Sequence, residues 1–159
     1  ADLVMLFRRL YAKTSGGCGT AYVGFSEGGT GISDLAYGTI GDGYSKNIPS
    51  EYYCESSTFT HEIGHSLGNV HDREYSDFAG KFSYSYAWGI EDKFGTIMSY
   101  HGPSIMLFST PKLSTQCAGT PCGFAAGNAK SSDQATTINY TAPIVAKYKP
   151  TTISVPVIQ

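Results

Sequence analysis

Three apolar runs near the start of the chain are each bounded by residues that favour turns. They cover residues 3–11 (LVMLFRRLY), 20–25 (TAYVGF) and 35–41 (LAYGTIG), and glycine, serine, asparagine or proline lies between and after them. Short apolar runs rich in β-branched and aromatic residues, separated by such breakers, are typical of strands. The pattern therefore predicts three strands in the first quarter of the chain.

The hydrophobic period changes from residue 57 onwards. Ile63 and Leu67 lie four residues apart on one side of the segment, and His61 and His65 lie four apart on another. This is helical spacing, with an apolar back and a polar front. The segment also carries residues that favour a helix start or a left-handed helix end: Ser56 or Ser57, and Gly68.

A second helix is predicted near the end of the chain, after a mostly irregular and aromatic-rich stretch. Ser132 or Asp133 can cap it, and apolar residues then recur at helical spacing: Ala135, Ile138, Ala142 and Val145. Pro143 should kink or divide this helix because it lacks a backbone N–H. Beyond a domain of residues 1–149, residues 150–159 are typical of an extended tail or linker.

The length and net charge of the chain exclude some classes of protein. With 159 residues the chain has room for one domain. Its net charge of −2 and pI near 6.1 provide no basic surface for nucleic acid, and it has no apolar run long enough to span a membrane. The first residues lack the charged and apolar regions of a signal peptide, which we interpret as a processed or trimmed start.

The four cysteines, none of them in a CxxC pair, favour disulfides in an oxidising compartment over reduced, buried thiols. Four cysteines allow three pairings, and the number alone does not choose among them. Their positions predict two pairs. Cys117 and Cys122 bracket a turn-like AGTP segment, while Cys18 precedes a predicted strand and Cys54 precedes the predicted helix.

The first helix carries a metal-binding motif, HExxHxxGxxHD, formed by His61, Glu62, His65, Gly68, His71 and Asp72. Positions i and i+4 bring His61 and His65 to one face, where both can bind one tetrahedral zinc ion. Glu62 is displaced by one residue, so it lies beside the metal. His71 can return as the third ligand only if the chain reverses sharply, and Gly68 permits that reversal. Three protein ligands indicate a catalytic rather than a structural zinc site.

This long histidine motif, followed by GTIMSY at residues 95–100, resembles the metzincins, the zinc endopeptidase clan with a later Met-turn. The resemblance implies an α+β (α/β) fold: a mixed twisted sheet with an active-site helix, an irregular lower subdomain with the Met-turn, and a C-terminal helix. Met98 would form the apolar floor beneath the imidazoles. Metzincins usually have two further strands and a long helix before residues 1–10, so the chain is a fragment of a cleaved protein or completes its sheet another way.

Within the clan, GTAYVGF at residues 19–25 resembles the edge strand of the adamalysin/reprolysin group, and Asp72 after the third histidine agrees with it. TIMSY and FSTP, together with CGTAYVG and the Cys54 segment, resemble the secreted microbial peptidyl-Asp metallopeptidases. The Met-Ser-Tyr triplet also occurs in serralysins, whose tyrosine can ligate zinc. The resemblance extends over about residues 1–148.

The resemblance implies a secreted, extracellular endopeptidase with one catalytic zinc ion and Glu62 as general base. Tyr100 would be a weak fifth ligand, a hydrogen-bond donor to the oxyanion, or a packed side chain. An extended protein or peptide substrate would pair with the edge strand at Gly19, Thr20, Ala21 and Tyr22. Residues 101–108, including His101 and Ile105, would wall the pocket after the cut.

Three further points remain open from the sequence. A metzincin-fold binding module without catalytic turnover is the alternative, although the intact Glu62 favours the enzyme. A propeptide or a cleaved N-terminal fragment is a further candidate partner. Calcium is not indicated, because the GDG at residues 41–43 is too short to predict a calcium loop.

Overall fold

The computed structural model describes residues 1–11, 17–41, 43 and 53–150. Its main elements are three strands and two helices: β1 (Val4–Arg8), β2 (Gly19–Ala21), β3 (Tyr37–Gly41), α1 (Ser57–Ser66) and α2 (Gln134–Val145). Between the helices lie a 3-10 turn and a two-stranded hairpin: Arg73–Tyr75, β4 (Gly89–Ile90) and β5 (Phe94–Gly95). The predicted mixed sheet, active-site helix, irregular lower part and C-terminal helix are therefore present.

β3 lies at the centre of a mixed sheet with the strand order β1-β3-β2. It runs parallel to β1 and antiparallel to β2, with Gly19 opposite Ile40 and Ala21 opposite Gly38. The run predicted as a strand over residues 20–25 leaves the sheet after Ala21, because the Gly24 N–H donates to the carbonyl of His65 at 3.0 Å. β2 is therefore an edge strand whose continuation turns toward the end of α1.

The two helices differ in how they begin. Ser56 occupies the N-cap position of α1, but its side chain makes no capping hydrogen bond. Its backbone is already helical (φ −60°, ψ −24°), whereas a capping serine is normally extended. The predicted serine cap is therefore wrong, and the Ser57 hydroxyl donates to Glu55 at 3.3 Å instead.

Asp133 caps α2 as predicted, since its side chain accepts the backbone N–H of Thr136 at 3.1 Å. Pro143 lies inside this helix but does not divide it. Because it is near the C-terminal end, its missing N–H removes only one hydrogen bond of the last turns. The helix continues to Val145.

α1 packs through its apolar side against the end of the sheet and against α2. Phe25, Leu67 and Val145 form a buried cluster, with Ile63 and Ile138 packed against it. The Thr141 hydroxyl of α2 donates to the carbonyl of Leu67 at 2.8 Å. The C-terminal helix thus supports α1 at the point where α1 ends.

Both predicted disulfides are present, Cys18 with Cys54 and Cys117 with Cys122. Cys18 directly precedes β2, and Cys54 lies three residues before α1. The first disulfide therefore ties the edge strand to the start of the active-site helix.

Some predictions fall outside the described residues. They are the tail beyond residue 150 and Asp42 of the GDG segment. Among the described residues, no helix is long and apolar enough to cross a membrane.

Candidate metal centre and active site

The three histidines of the motif converge through their Nε2 atoms. His61 and His65 project from one face of α1, and the Nε2 of His71 lies 3.1 Å from the Nε2 of each. These three residues are the cluster of metal-ligating side chains found in the described part of the chain, with ligand atoms within 4.8 Å of one another.

The return of His71 depends on the turn that ends α1. Gly68 has a φ of +84°, which a residue with a side chain rarely adopts. Its N–H donates to the carbonyl of His65 at 2.8 Å, and the N–H of Asn69 donates to the carbonyl of Gly64 at 3.0 Å. This pair of bonds is a Schellman motif, which closes the helix and reverses the chain. The role predicted for Gly68 thus follows from its geometry.

Backbone carbonyls orient two of the imidazoles. The Nδ1 of His61 lies 2.8 Å from the carbonyl of Ile97, and the Nδ1 of His65 lies 3.0 Å from that of Asn69. Because a carbonyl oxygen only accepts hydrogen bonds, each Nδ1 carries the proton and each Nε2 keeps a free lone pair. The hydrogen bond at Nδ1 therefore leaves Nε2 of each ring as the atom that can bind the metal.

Burial keeps these imidazoles uncharged at neutral pH. It lowers the pKa of His65 to about 3, helped by the neighbouring His61 and His71, and it lowers the pKa of His71 to about 4, helped by His61. Burial also lowers the pKa of His61, against the effect of its hydrogen bond to Ile97. Three neutral imidazoles with converging lone pairs are a donor set that fits one Zn²⁺ ion.

Met98 lies under the histidine-bearing part of α1. It is fully buried in a cluster with Ala87 and Ile97, against which Phe108 packs. Its sulfur approaches Gly64, between the two helical ligands, so closely that a Cβ at Gly64 would overlap it. The predicted apolar floor is therefore in contact with the active-site helix.

Glu62 is buried, with 5% of its surface exposed, and lies against the edge strand. A Cβ at Gly19 would overlap its carboxyl group. Burial raises the pKa of Glu62 to about 7, and a hydrogen bond to the backbone of Ala21 acts in the opposite direction. Its Oε2 has no hydrogen-bond partner among the described residues. β2 thus holds the carboxyl group in place, and Oε2 remains available to accept a hydrogen bond or a proton.

Tyr100 stands at the open side of the three histidines. Its ring centroid lies 4.1 Å from that of His71 and 6.4 Å from that of His61, and 58% of its surface is exposed. Burial raises the pKa of its phenol, and the negative charges of Glu62 and Asp72 add to the effect. The phenol is therefore protonated at neutral pH and able to donate a hydrogen bond.

Asp72 connects the third histidine to the Met-turn. It is 5% exposed, and its Oδ2 accepts the backbone N–H of Tyr100 at 2.8 Å. Burial raises its pKa, opposed by hydrogen bonds from Tyr100 and Ser99. Asp72 thus fixes the position of the Tyr100 backbone at the end of the Met-turn.

Two adjoining cavities open on this centre. The first, of about 260 Å³, is lined by the three histidines, Glu62, Tyr100 and the edge strand with Val23, and we name it the histidine cavity. The second, of about 320 Å³, shares Gly19, His61, Glu62 and Tyr100 and is further lined by Cys18, Ser57 and Thr58. Together they form a cleft between β2 and the Met-turn.

Comparison with known families agrees with this geometry. Residues 1–128 match the metallopeptidase family M12B, reprolysin-like. The chain belongs to this family. The M12B assignment accounts for the long histidine motif and the fold together, and it confirms the predicted relationship to the reprolysin group.

Two relatives of this M12B domain extend the comparison. It is 28% identical over 176 aligned positions to a peptidyl-Asp metalloendopeptidase of Pseudomonas aeruginosa, across 96% of this chain and 27% of that protein. It is 48% identical over 58 residues to serralysin C of Dickeya chrysanthemi, across 36% of this chain and 12% of that protein. The chain thus spans about a quarter of the length of the first relative.

A solved structure described as a chaperone-substrate complex superposes with a TM-score of 0.66 at 20% identity, over 95% of this chain and 21% of that one. At this identity the likeness concerns the fold alone. It supports the arrangement of sheet and helices around the M12B site.

Two residues predicted to bind substrate make their contacts outside the two cavities at the histidines. His101 lies between two carboxylates, with Nδ1 2.6 Å from Glu91 and Nε2 2.7 Å from Glu74. Ile105 packs against the cluster of Phe94 and the Cys117–Cys122 disulfide. Neither residue lines the two cavities at the histidines. Gly19, Thr20 and Ala21 do line the histidine cavity, whereas Tyr22 lines the neighbouring surface.

One contributor to the M12B site, Gly64, was not predicted from the sequence. It admits the sulfur of Met98 to the helix surface, whereas Val23, which lines the histidine cavity beyond the end of β2, lies within the segment predicted as the edge strand. A small residue between the two helical ligands is the one signal that could have indicated Gly64.

Proposed function

We propose that this chain is the catalytic domain of a secreted zinc endopeptidase, which hydrolyses peptide bonds in extended protein or peptide substrates. The observation that carries the proposal is the buried Glu62 in the same cavity as three converging Nε2 atoms, with its Oε2 unpartnered among the described residues. A domain that only bound a partner would have no chemical use for a carboxyl group held there.

The residues of the site have separate tasks in this reaction. A bound zinc ion supplies Lewis acidity, which makes water more acidic and a carbonyl carbon more electrophilic. The Glu62 carboxylate accepts the proton of the attacking water and then delivers it to the nitrogen of the leaving amine. The Tyr100 phenol, beside His71, donates a hydrogen bond to the oxygen on which negative charge develops.

The substrate binds along the outer edge of β2. This strand pairs with β3 on one side only in the described structure, so its other side offers backbone N–H and C=O groups to an extended peptide. A peptide there passes directly over Glu62, because Gly19 lies against that side chain. The cavity beside Ser57 and Thr58 is the best candidate for the side chain after the cut, because it adjoins Glu62.

The compartment and the first substrates follow from further observations. The two disulfides favour an oxidising, extracellular environment. The name of the Pseudomonas relative indicates cleavage next to aspartate in that protein. Peptides with an aspartate therefore belong in the first substrate set for this chain, beside unfolded proteins such as casein.

Zymography on casein and gelatin, with and without 1,10-phenanthroline, tests the proposal. We expect clearing that the chelator abolishes and that added zinc restores, together with one zinc ion per chain by mass spectrometry. A folded domain that binds one zinc ion but cleaves neither the two proteins nor a mixed peptide library would overturn the enzyme in favour of a binding module.

A further inference from the structure

A further cavity, larger than the two at the histidines, lies beyond the end of β2. It has a volume of about 440 Å³, within the range of small-ligand sites. Phe25, which is 1% exposed, is among the residues that line it, together with Tyr22, Val23, Ile32 and Phe78. We name it the apolar cavity. The proposed reaction makes no use of it.

Large apolar side chains that are exposed to solvent line the apolar cavity. Tyr22, Ile32 and Phe78 have 50%, 44% and 57% of their surfaces exposed. Single exposed apolar residues are common on proteins, but three that open on one cavity mark a binding surface. No lysine or arginine is among the described residues that line it, and Glu27 is. The cavity therefore suits an apolar side chain and disfavours an acidic one.

The apolar cavity continues the histidine cavity. Val23 lines both of them. Gly19, Thr20 and Ala21 flank the histidines, and the segment that follows β2 leads through Tyr22 and Val23 to Phe25. A peptide that extends past β2 from the histidine cavity therefore reaches the apolar cavity next.

The direction in which the peptide runs along β2 determines which of its residues enters the apolar cavity. Antiparallel pairing is the more stable kind per residue, so a peptide on β2 runs opposite to it. Its residues before the cleaved bond then lie toward Val23 and Phe25. With a rise of about 3.3 Å per residue, the side chains about two to four positions before the bond reach this cavity.

From this geometry we infer that the apolar cavity is a specificity site, which selects substrates with a large apolar side chain two to four residues before the cleaved bond. The inference rests on the proposed endopeptidase function and adds the substrate class. Ile32 and Phe78 are the specificity-determining residues that the sequence did not indicate.

Quenched fluorescent peptides that share one cleavage site test the inference. Each of the second, third and fourth positions before the bond is varied among leucine, phenylalanine, serine and aspartate. We expect kcat/KM with leucine or phenylalanine to exceed that with serine by about 10-fold or more at one position, as apolar pockets discriminate. Aspartate should be the poorest residue at that position.

Two variants then locate the effect. Ile32→Ser and Phe78→Ser should each bring the leucine-to-serine ratio of kcat/KM close to one. Leu6→Ser replaces another exposed apolar residue, on β1, and should leave the ratio unchanged. Because the two variants lie in different segments, poor folding of one leaves the other as a test.

The outcomes separate this inference from the proposed function. Cleavage with a flat profile at all three positions, an apolar preference only after the bond, or an unchanged ratio in both variants would overturn the inference and leave the endopeptidase intact. A zinc-loaded parent that cleaves no peptide of the set would overturn both.

Discussion

The sulfur of Met98 lies against Gly64, so closely that a methyl group added at Gly64 would overlap it. Met98 is fully buried, and the ring of the partly buried Phe108 would be 3.0 Å from the same methyl group, so the added group would meet two side chains. The Met-turn and the active-site helix are therefore in direct contact between the two helical zinc ligands.

Gly64→Ala should consequently destabilise the domain. Alanine favours a helix over glycine by roughly 1 kcal/mol, but overpacking a filled core costs about 1–3 kcal/mol, and displacement of α1 also weakens zinc binding. Urea unfolding and zinc titration measure the two effects. The loss of stability should be smaller in a Met98→Ala background, where the shorter side chain leaves room for the added methyl group. Equal losses in both backgrounds would contradict the proposed contact.

Glu62→Gln should abolish proteolysis while zinc binding persists. The amide keeps the shape of the carboxyl group but cannot accept the proton of water, and general base catalysis contributes about 10²–10⁴-fold. The kcat/KM on a fluorescent peptide and the zinc content per chain are the measurements. Glu55→Gln, an exposed change just before the same helix, is the matched control. Near-parental activity of Glu62→Gln would show that the base lies elsewhere.

Tyr100→Phe should lower kcat and kcat/KM together by about 10- to 100-fold, with KM nearly unchanged. A partly exposed hydrogen-bond donor that contacts the transition state only has this signature. Zinc content should be retained, because three histidines remain. Tyr75→Phe, on a neighbouring exposed ring with its centroid 5.4 Å away, serves as control. Kinetics of Tyr100→Phe within about twofold, roughly 0.4 kcal/mol, would reduce Tyr100 to a packed side chain.

Asp72→Ala should destabilise the domain by about 1–3 kcal/mol. It leaves the backbone N–H of Tyr100, which Asp72 accepts at 2.8 Å, without its acceptor. Asp72→Asn keeps an acceptor oxygen and should recover most of the loss in chemical unfolding. If the asparagine variant is as unstable as the alanine variant, the charge of Asp72 matters rather than this hydrogen bond.

His101 should make a pH-dependent contribution to stability. The hydrogen bond to Glu91 raises its pKa, assisted by Asp72 and Glu74 and opposed by burial. A raised folded pKa means that the contribution is fully present below the unfolded value of about 6.5 and is lost as pH rises through the folded pKa. The difference in unfolding free energy between the parent and His101→Gln should therefore be larger at pH 6 than at pH 9. Since both carboxylates are exposed, we expect at most about 1 kcal/mol. A difference that grows with pH would contradict this sign.

Local patterns predicted the parts of the site that depend on spacing along the chain. His61 and His65 are four residues apart on a helix, and Gly68 takes the left-handed conformation that returns His71. The cysteine positions likewise predicted both disulfides. In each case the deciding geometry lies within a few residues or at the ends of predictable elements.

Features that depend on contacts between distant segments were beyond such patterns. β2 ends at Ala21 because the Gly24 N–H finds the His65 carbonyl, a partner 41 residues away whose position only the fold determines. His101 lies between Glu74 and Glu91, which are 27 and 10 residues away along the chain. The position of a polar side chain depends on its nearest charged partners, and the linear sequence does not reveal which residues these are.

The Cys18–Cys54 disulfide has a consequence for the endopeptidase that we propose, whose activity would also meet its own chain. Its two cysteines are 36 residues apart, and the segment between them contains β2, the strand on which we propose that the substrate binds. A single cut anywhere within this segment leaves the two pieces covalently joined, with the edge strand or its partner β3 still attached to the start of α1. Self-digestion at this stretch would therefore nick the domain without releasing half of its cleft.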